Sequence, residues 1–302
     1  MAVIDLIRSK EKTAFSFELL PPLKGNSIEK LYATIDILKE FNPLYINITN
    51  HQSDKCRRPC TVAIAAAIHN RYNIPVVPHV TCSGYTQEEI EYMLLDLQFL
   101  GITDLLVLRG DKKKEELAFT PLEGGCSHAL ELEHQINDFN HGFFLDGSDI
   151  HLAIRPYHYG VACYPEKHSE APDMDSDLFW LKKKVDAGAE YAVTQMFFDN
   201  DAYFRFVDKA EAAGINIPII PGIKPLYKLS QLTSIPRIFQ VNFPPLLLNE
   251  LKKCKDDETF REIGREWCIQ QCKELISHGV PSIHFYTMGQ AETIVDIAKW
   301  LF

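Results

Sequence analysis

Short apolar runs alternate with amphipathic helical stretches along the whole chain, and that alternation leaves few folds open. Eight runs read as strands, at residues 13–19, 44–48, 76–80, 105–108, 160–163, 191–196, 217–220 and 282–285. Strict alternation of strand and helix calls for a parallel sheet covered by helices. The run 105–108, LLVL, has no polar member, as expected of a strand buried on both faces. Eight such units closing on themselves make a (β/α)8 barrel, and 302 residues suffice for one barrel domain spanning 1–302. The other candidate is an open doubly wound sheet, but no GxGxxG follows the first strand.

Helix signals fall where the alternation needs them. Asn26 or Ser27 caps a stripe of Ile28, Leu31, Ile35 and Leu38. Thr86 with Glu89 forms a capping-box pattern ahead of Ile90, Leu94, Leu97 and Leu100, and Gly101 ends that helix. Helices are predicted over 61–70, 127–140, 174–187 and from Asn200 or Asp201 to Gly214. A longer, mostly helical region fills 226–278, and an amphipathic helix using Ile294, Ile297 and Leu301 closes the chain. Residues 112–125 and 142–157 read as irregular.

Composition excludes several functions. The net charge is -10 without a long basic block, which argues against a nucleic-acid surface. No run of about 18 apolar residues suggests a membrane span, and the N-terminus lacks the apolar core of a signal peptide. Eight scattered cysteines read as reduced thiols of a cytoplasmic protein. The spacings Cys56–Cys60 and Cys268–Cys272 do not match a zinc knuckle.

In a barrel, ligands bind at the carboxyl ends of the strands. Those ends bring together Glu18, Thr49, His79, the Arg109-Gly110-Asp111 turn, Tyr164 with His168, Gln195, Gly222 and Tyr286. Glu18 and Asp111 suit acid–base work or the tuning of a ligand's charge, and the neutral donors and acceptors suit a planar heterocycle. Plainer readings stand beside these. Arg109 and Asp111 form a self-paired surface turn, Glu18 pairs with a lysine, and His79 and His168 are structural. Together with Asp111 the histidines also compose a metal set, although no HxH spacing supports one. No GxSxG elbow is present, and no lysine lies inside a strand at these ends, which weakens a Schiff-base reading.

Seven segments occur in a telling order: FSFELLPP, VPHVTC, LVLRGD, ACYPEKH, LKKKVDAGAEYAVTQMFFD, IIPGIKP and HFYTM. This ordered set, spanning nearly the whole chain, resembles the methylenetetrahydrofolate reductase family, in a length similar to the bacterial single-domain form. The resemblance implies an oxidoreductase of one-carbon metabolism. It implies hydride transfer from NADH or NADPH through FAD to 5,10-methylenetetrahydrofolate, with ping-pong kinetics. It implies a homo-oligomer and, without an appended regulatory domain, no adenosylmethionine control. By motif match Glu18 is the general acid, its pKa raised by partial burial in its aromatic strand, and Asp111 is the carboxylate near flavin and pterin. Gln195 and Gln231 join Glu18 and Asp111 as substrate-binding residues. The FAD set carried over is Thr49, His79, Leu108, Arg109, Gly110, Asp111, Ala129, Tyr164, His168, Asp177 and Lys184. Of these, Arg109, His168 and Lys184 suit a diphosphate.

Some positions depart from the family pattern. Asn50-His51-Gln52 replaces the more usual residues after the second strand, and Trp180 stands where a smaller polar residue is common. Gln290 stands where some relatives place an arginine for the folate tail, with Lys224 as a substitute anchor. The segment 112–159 is longer than in compact relatives, which reshapes the adenine end of the site or an oligomer contact. Two other readings are a metal-using, flavin-free barrel enzyme, expected to be colourless, and a flavin- or folate-binding barrel without turnover.

Overall fold

The computed structural model describes residues 1–50, 60–112, 116, 118–287 and 291–302. His51, Gln52, Cys56 and Gln290, all named above, lie outside the described residues.

In β1 (Ala14–Leu19) the aromatic and aliphatic residues occupy one face. Phe15, Phe17 and Leu19 are buried in one large apolar cluster with Leu31, Ile35 and Leu38 of α2 (Glu29–Leu38). Ser16 and Glu18, alternating with them, therefore point into the barrel. The same parity runs through β2 (Ile46–Ile48), β3 (Val76–Thr81), β4 (Asp104–Leu108), β5 (His158–Cys163) and β6 (Tyr191–Thr194). It continues through β7 (Ile219–Ile220), β8 (Gly222–Ile223) and β9 (Ser282–Tyr286). All neighbouring strands pair in parallel, in the order β7-β6-β5-β4-β3-β2-β1-β9-β8.

The expected seventh strand is split. Ile219 and Ile220 pair with β6, whereas Gly222 and Ile223 pair with β9. Pro221 sits between the halves and has no N–H to give a ladder, but its carbonyl accepts from His284 N at 2.9 Å. By changing partner at this proline, one strand joins both ends of the sheet, and the (β/α)8 barrel is nearly closed.

The covering helices follow their strands: α3 (Thr61–Tyr72), α4 (Gln87–Leu100), α5 (Ala129–Asn140), α6 (Met174–Ala187) and α7 (Asn200–Ala212). The region after β8 holds α8 (Gln231–Phe239), α9 (Pro245–Leu251) and α10 (Asp257–Ser277), and α11 (Ala291–Leu301) ends the chain. The capping box forms as read, with Thr86 Oγ1 accepting from Glu89 N and Glu89 accepting from Thr86 N.

One element has no counterpart in the sequence reading. Residues Val3–Arg8 form a short helix, α1. Its Val3, Ile4 and Ile7 pack with the inward residues Val77, Leu106, Val193 and Ile220. Val3 N donates to Asp104 Oδ1 at 2.7 Å at the start of β4. Thus α1 plugs the amino-terminal end of the barrel, opposite the mouth. Burial pushes the Asp104 carboxyl up to about 6.

The long segment after β4 divides into two. Its first part stays at the mouth, where the Arg109 guanidinium lies 4.9 Å from the Phe119 ring centroid. Its second part is tied to the opposite end. Gln98 exchanges hydrogen bonds with the backbone of Arg155, at 2.7 and 3.1 Å, and Asn140 does the same with Tyr157, at 3.1 and 2.8 Å. Only the first part is placed to shape a site.

Candidate active site

Strand register fixes the floor of the mouth. Glu18 of β1 is level with Tyr286 of β9, and Phe285 is level with Ile223 of β8, so Lys224 follows next to Tyr286. The row Glu18–Tyr286–Lys224 thus crosses three adjacent strands at their carboxyl ends. Tyr286 is fixed by its Oη donating to Thr194 O at 2.5 Å, and the Thr287 hydroxyl donates to the Glu18 carbonyl at 2.7 Å. Gly222 is required here: a Cβ would come 2.3 Å from Thr194 O and 2.6 Å from the Tyr286 ring.

Glu18 is only 7% exposed. Burial pushes its carboxyl from 4.5 up to about 7, against an opposing pull from Lys224. Desolvation favours the neutral acid, and a nearby cation favours the carboxylate. Lys224 is 4% exposed, and burial brings its ammonium down to about 8 while Glu18 pulls it up. Lys224 directly follows β8, the resumed half of the seventh strand, and lies deep beside Glu18.

A second group of residues gathers around Arg109. Its guanidinium makes a two-pronged ion pair with Glu170, at 2.6 and 3.0 Å. The plain reading of an Arg109–Asp111 pair is therefore not what forms. Gly110 has φ +83°, and a Cβ there would lie 2.6 Å from Ser83 Cβ, so the turn needs glycine. The Ser83 hydroxyl donates to the Asp111 carbonyl at 3.2 Å, which stitches this turn to the one after β3. The Asp111 side chain is exposed at the rim.

Tyr164 meets His168 edge to face at 4.6 Å, and His168 N donates to Asp177 Oδ2 at 2.9 Å. Burial, with the charge of Arg109, holds His168 below the usual histidine range, so its ring favours the neutral form. Lys184 Nζ donates to Ala162 O at 2.7 Å. Glu133, fully buried on α5, lies within electrostatic reach of Lys184, and burial pushes its carboxyl up to about 8. Ala129 is the first residue of α5.

Between the two groups lie Thr49, His79 and Leu108. Thr49 Oγ1 and His79 Nε2 are buried and have no hydrogen-bond partner among the described residues. Burial lowers the His79 imidazole to about 3, so it is neutral. Gln195 is half-buried, its Oε1 accepting from Met196 N at 2.9 Å. Gln231 stands apart, with its Oε1 accepting from Tyr227 N and Lys228 N at 2.7 and 3.0 Å, so it braces the loop beside Lys224. Trp180 is 57% exposed and packs edge to face on Phe179 at 5.4 Å.

Sequence reasoning missed Glu133 and His284, and named Lys224 only as a folate-tail anchor. His284 faces inward on β9 and shares a 2.8 Å hydrogen bond with Ser16 Oγ. The signal for His284 and Lys224 was inward parity, which a split strand obscured for Lys224. Among the described residues, no three His, Cys, Asp or Glu side chains are placed to hold a metal ion. No described helix is long and apolar enough to cross a membrane.

The molecule is thus a (β/α)8-barrel protein with a deep, polar, partly unsatisfied site at the carboxyl ends of its strands. Residues 3–301 match the family description methylenetetrahydrofolate reductase. A 5,10-methylenetetrahydrofolate reductase of Escherichia coli is 32% identical over 291 residues, covering 95% of this chain and 90% of that protein. One from Buchnera aphidicola is 33% identical, covering 96% and 92%. An Arabidopsis thaliana methylenetetrahydrofolate reductase (NADH) is 32% identical over 98% of this chain, which spans 50% of that longer protein. The chain belongs to the methylenetetrahydrofolate reductase family. Among solved structures, a Clostridium thermocellum protein described as binding two copies of 5-methyl-5,6,7,8-tetrahydrofolic acid shares the fold. Its TM-score is 0.62 at 16% identity, with 98% of both chains covered.

Proposed function

We propose that this protein reduces 5,10-methylenetetrahydrofolate to 5-methyltetrahydrofolate with NADH or NADPH, using FAD held at the barrel mouth. The observation that carries the reading is Glu18, a buried carboxyl at a strand end whose pKa of about 7 keeps a large fraction protonated at neutral pH. A general acid works best when its pKa lies near the working pH. Opening the five-membered ring of the substrate to a reactive iminium needs such a proton, and Glu18 gives it.

The residues present fit a flavin. Thr49 Oγ1 and His79 Nε2 are polar atoms buried without partners among the described residues, and the Gly110 turn packs closely on Ser83. With Leu108, Arg109, Asp111, Ala129, Tyr164, His168, Asp177 and Lys184, they would hold FAD. Bound there, FAD supplies a two-electron store that takes hydride from the nicotinamide and gives it to the folate in a ping-pong cycle. Arg109 and Lys184 offer charge to a diphosphate. His79 and His168 stay neutral and act as hydrogen-bonding rings. Asp111 at the rim and Gln195 on the inner wall orient the folate ring, and Gln231 steadies the loop behind it.

The test is the visible spectrum of the purified protein, before and after anaerobic NADH or NADPH. A flavin band that bleaches, then returns with methylenetetrahydrofolate, is expected. A colourless protein that FAD does not reconstitute overturns the proposal. Glu18→Gln is expected to keep bleaching by nicotinamide and to lose the return of colour with folate.

A further inference from the structure

We infer that Lys224 is a further substrate-contacting residue, donating from its ammonium to an acceptor oxygen on the folate ring that Glu18 protonates. This rests on the reductase reading above. Three observations carry it. Lys224 ends the row Glu18–Tyr286–Lys224 on the inner wall, so its stem points to the space Glu18 faces. It is 4% exposed, yet its Nζ has no hydrogen-bond partner among the described residues. Its position is also fixed: Nζ lies 5.2 Å from the Tyr227 ring centroid, and Gln231 Oε1 holds Tyr227 N at 2.7 Å.

A buried ammonium without hydrogen bonds is costly, and the attraction of Glu18 and the Tyr227 ring offsets only part of that cost, since burial still lowers its pKa. An ammonium has three donors and no acceptor, so what completes it is an oxygen or an anion. A cation fixed before substrate arrives needs no rearrangement when charge shifts during reaction, which is how preorganised sites lower barriers. The pterin ring presents a carbonyl oxygen of the required kind. A flexible glutamate tail is the poorer fit, because Lys224 lies in the wall beneath the rim.

Lys224 also acts on its neighbour. Level with Glu18 on the two neighbouring strands are Asn47 and Tyr286, and Lys224, one strand beyond Tyr286, is the cation that pulls the Glu18 carboxyl down against burial. Lys224 in turn faces Glu18 and the Tyr227 ring. Removing the ammonium lets the Glu18 pKa rise. The alkaline limb of folate reduction then moves to higher pH, while the rate on its plateau falls.

The experiment compares Lys224→Met and Lys224→Arg holoenzymes with the parent in anaerobic stopped flow, taking the two half-reactions separately. Lys224→Met is expected to keep flavin bleaching by nicotinamide within about twofold and to slow reoxidation by methylenetetrahydrofolate by about tenfold or more. Its alkaline limb is expected to shift upward, and Lys224→Arg to keep the parent's limb. The melting temperature of Lys224→Met is expected to equal or exceed the parent's, because an apolar isostere replaces a buried ammonium that makes no hydrogen bond among the described residues. An unchanged folate half-reaction overturns the inference. So does an equal loss in both half-reactions, a lower melting temperature, or an effect confined to polyglutamate substrates. A parent protein that does not reoxidise with folate refutes the proposed function instead, and the two failures are distinct.

Discussion

Glu18→Gln separates what this carboxyl does for chemistry from what it costs the fold. In the folded protein its pKa lies at about 7, against 4.5 when unperturbed. Because the folded value is the higher, the neutral form is favoured in the barrel. The stability this represents is fully present below about 4.5 and is lost as pH rises through about 7. That interval corresponds to about 3 kcal/mol against the ionised form at alkaline pH. Glutamine keeps the shape and never ionises, so its advantage should appear only above the lower value. Unfolding entropy of about 2 cal/mol/K per residue turns 3 kcal/mol into a rise of about 5 °C for a chain of 302 residues. The assay is thermal unfolding of both proteins by circular dichroism at about pH 4.5 and about pH 8.5. Glu18→Gln should melt close to the parent at the acid end and several degrees above it at the alkaline end. An advantage equal at both ends, or reversed, would refute a buried, upshifted Glu18.

Gly222→Ala forces a Cβ to within 2.3 Å of Thr194 O and should cost about 1–3 kcal/mol, read as a lower urea midpoint. Ile7→Ala hollows the plug formed by α1 and should cost about 2–4 kcal/mol, with the specific activity of the folded fraction unchanged, since Ile7 lies at the end opposite the mouth. Glu170→Ala frees the fork of Arg109 and should change stability by less than about 1 kcal/mol. Flavin binding, followed by fluorescence quenching, should tighten because no carboxylate then has to be displaced from the guanidinium.

Much of the barrel was legible because strand and helix alternate strictly, and the carboxyl ends of the strands brought Glu18, Thr49 and His79 together. The aromatics of the first strand read as barrel filling, whereas Phe15 and Phe17 face the helices and leave Ser16 and Glu18 inside. Thr86 and Glu89 announced α4 through chemistry local to a few residues. Legibility failed where the cause was long-range. Helix α1 has six residues and an alanine at its N-cap, and it forms because the barrel floor offers Val3, Ile4 and Ile7 a place to bury. The predicted seventh strand, 217–220, stops short of Pro221, whereas in the fold pairing resumes beyond it with a new partner at Gly222 and Ile223, just before Lys224. The pairing of Arg109 with Glu170, 61 residues on, has no local signal at all.

The split of the seventh strand also says where the wall is weakest. Two residue pairs join β6 to β7 and two join β8 to β9, whereas β1 and β9 share five. Opening between β6 and β9 breaks the fewest ladder bonds, so amides flanking Pro221 should exchange with solvent deuterium faster than those of β3 or β4. Gly222, Lys224 and Tyr286 line that joint. The wall most able to part is the one bordering Glu18, so a ring entering the mouth meets the side of the barrel that yields at least cost.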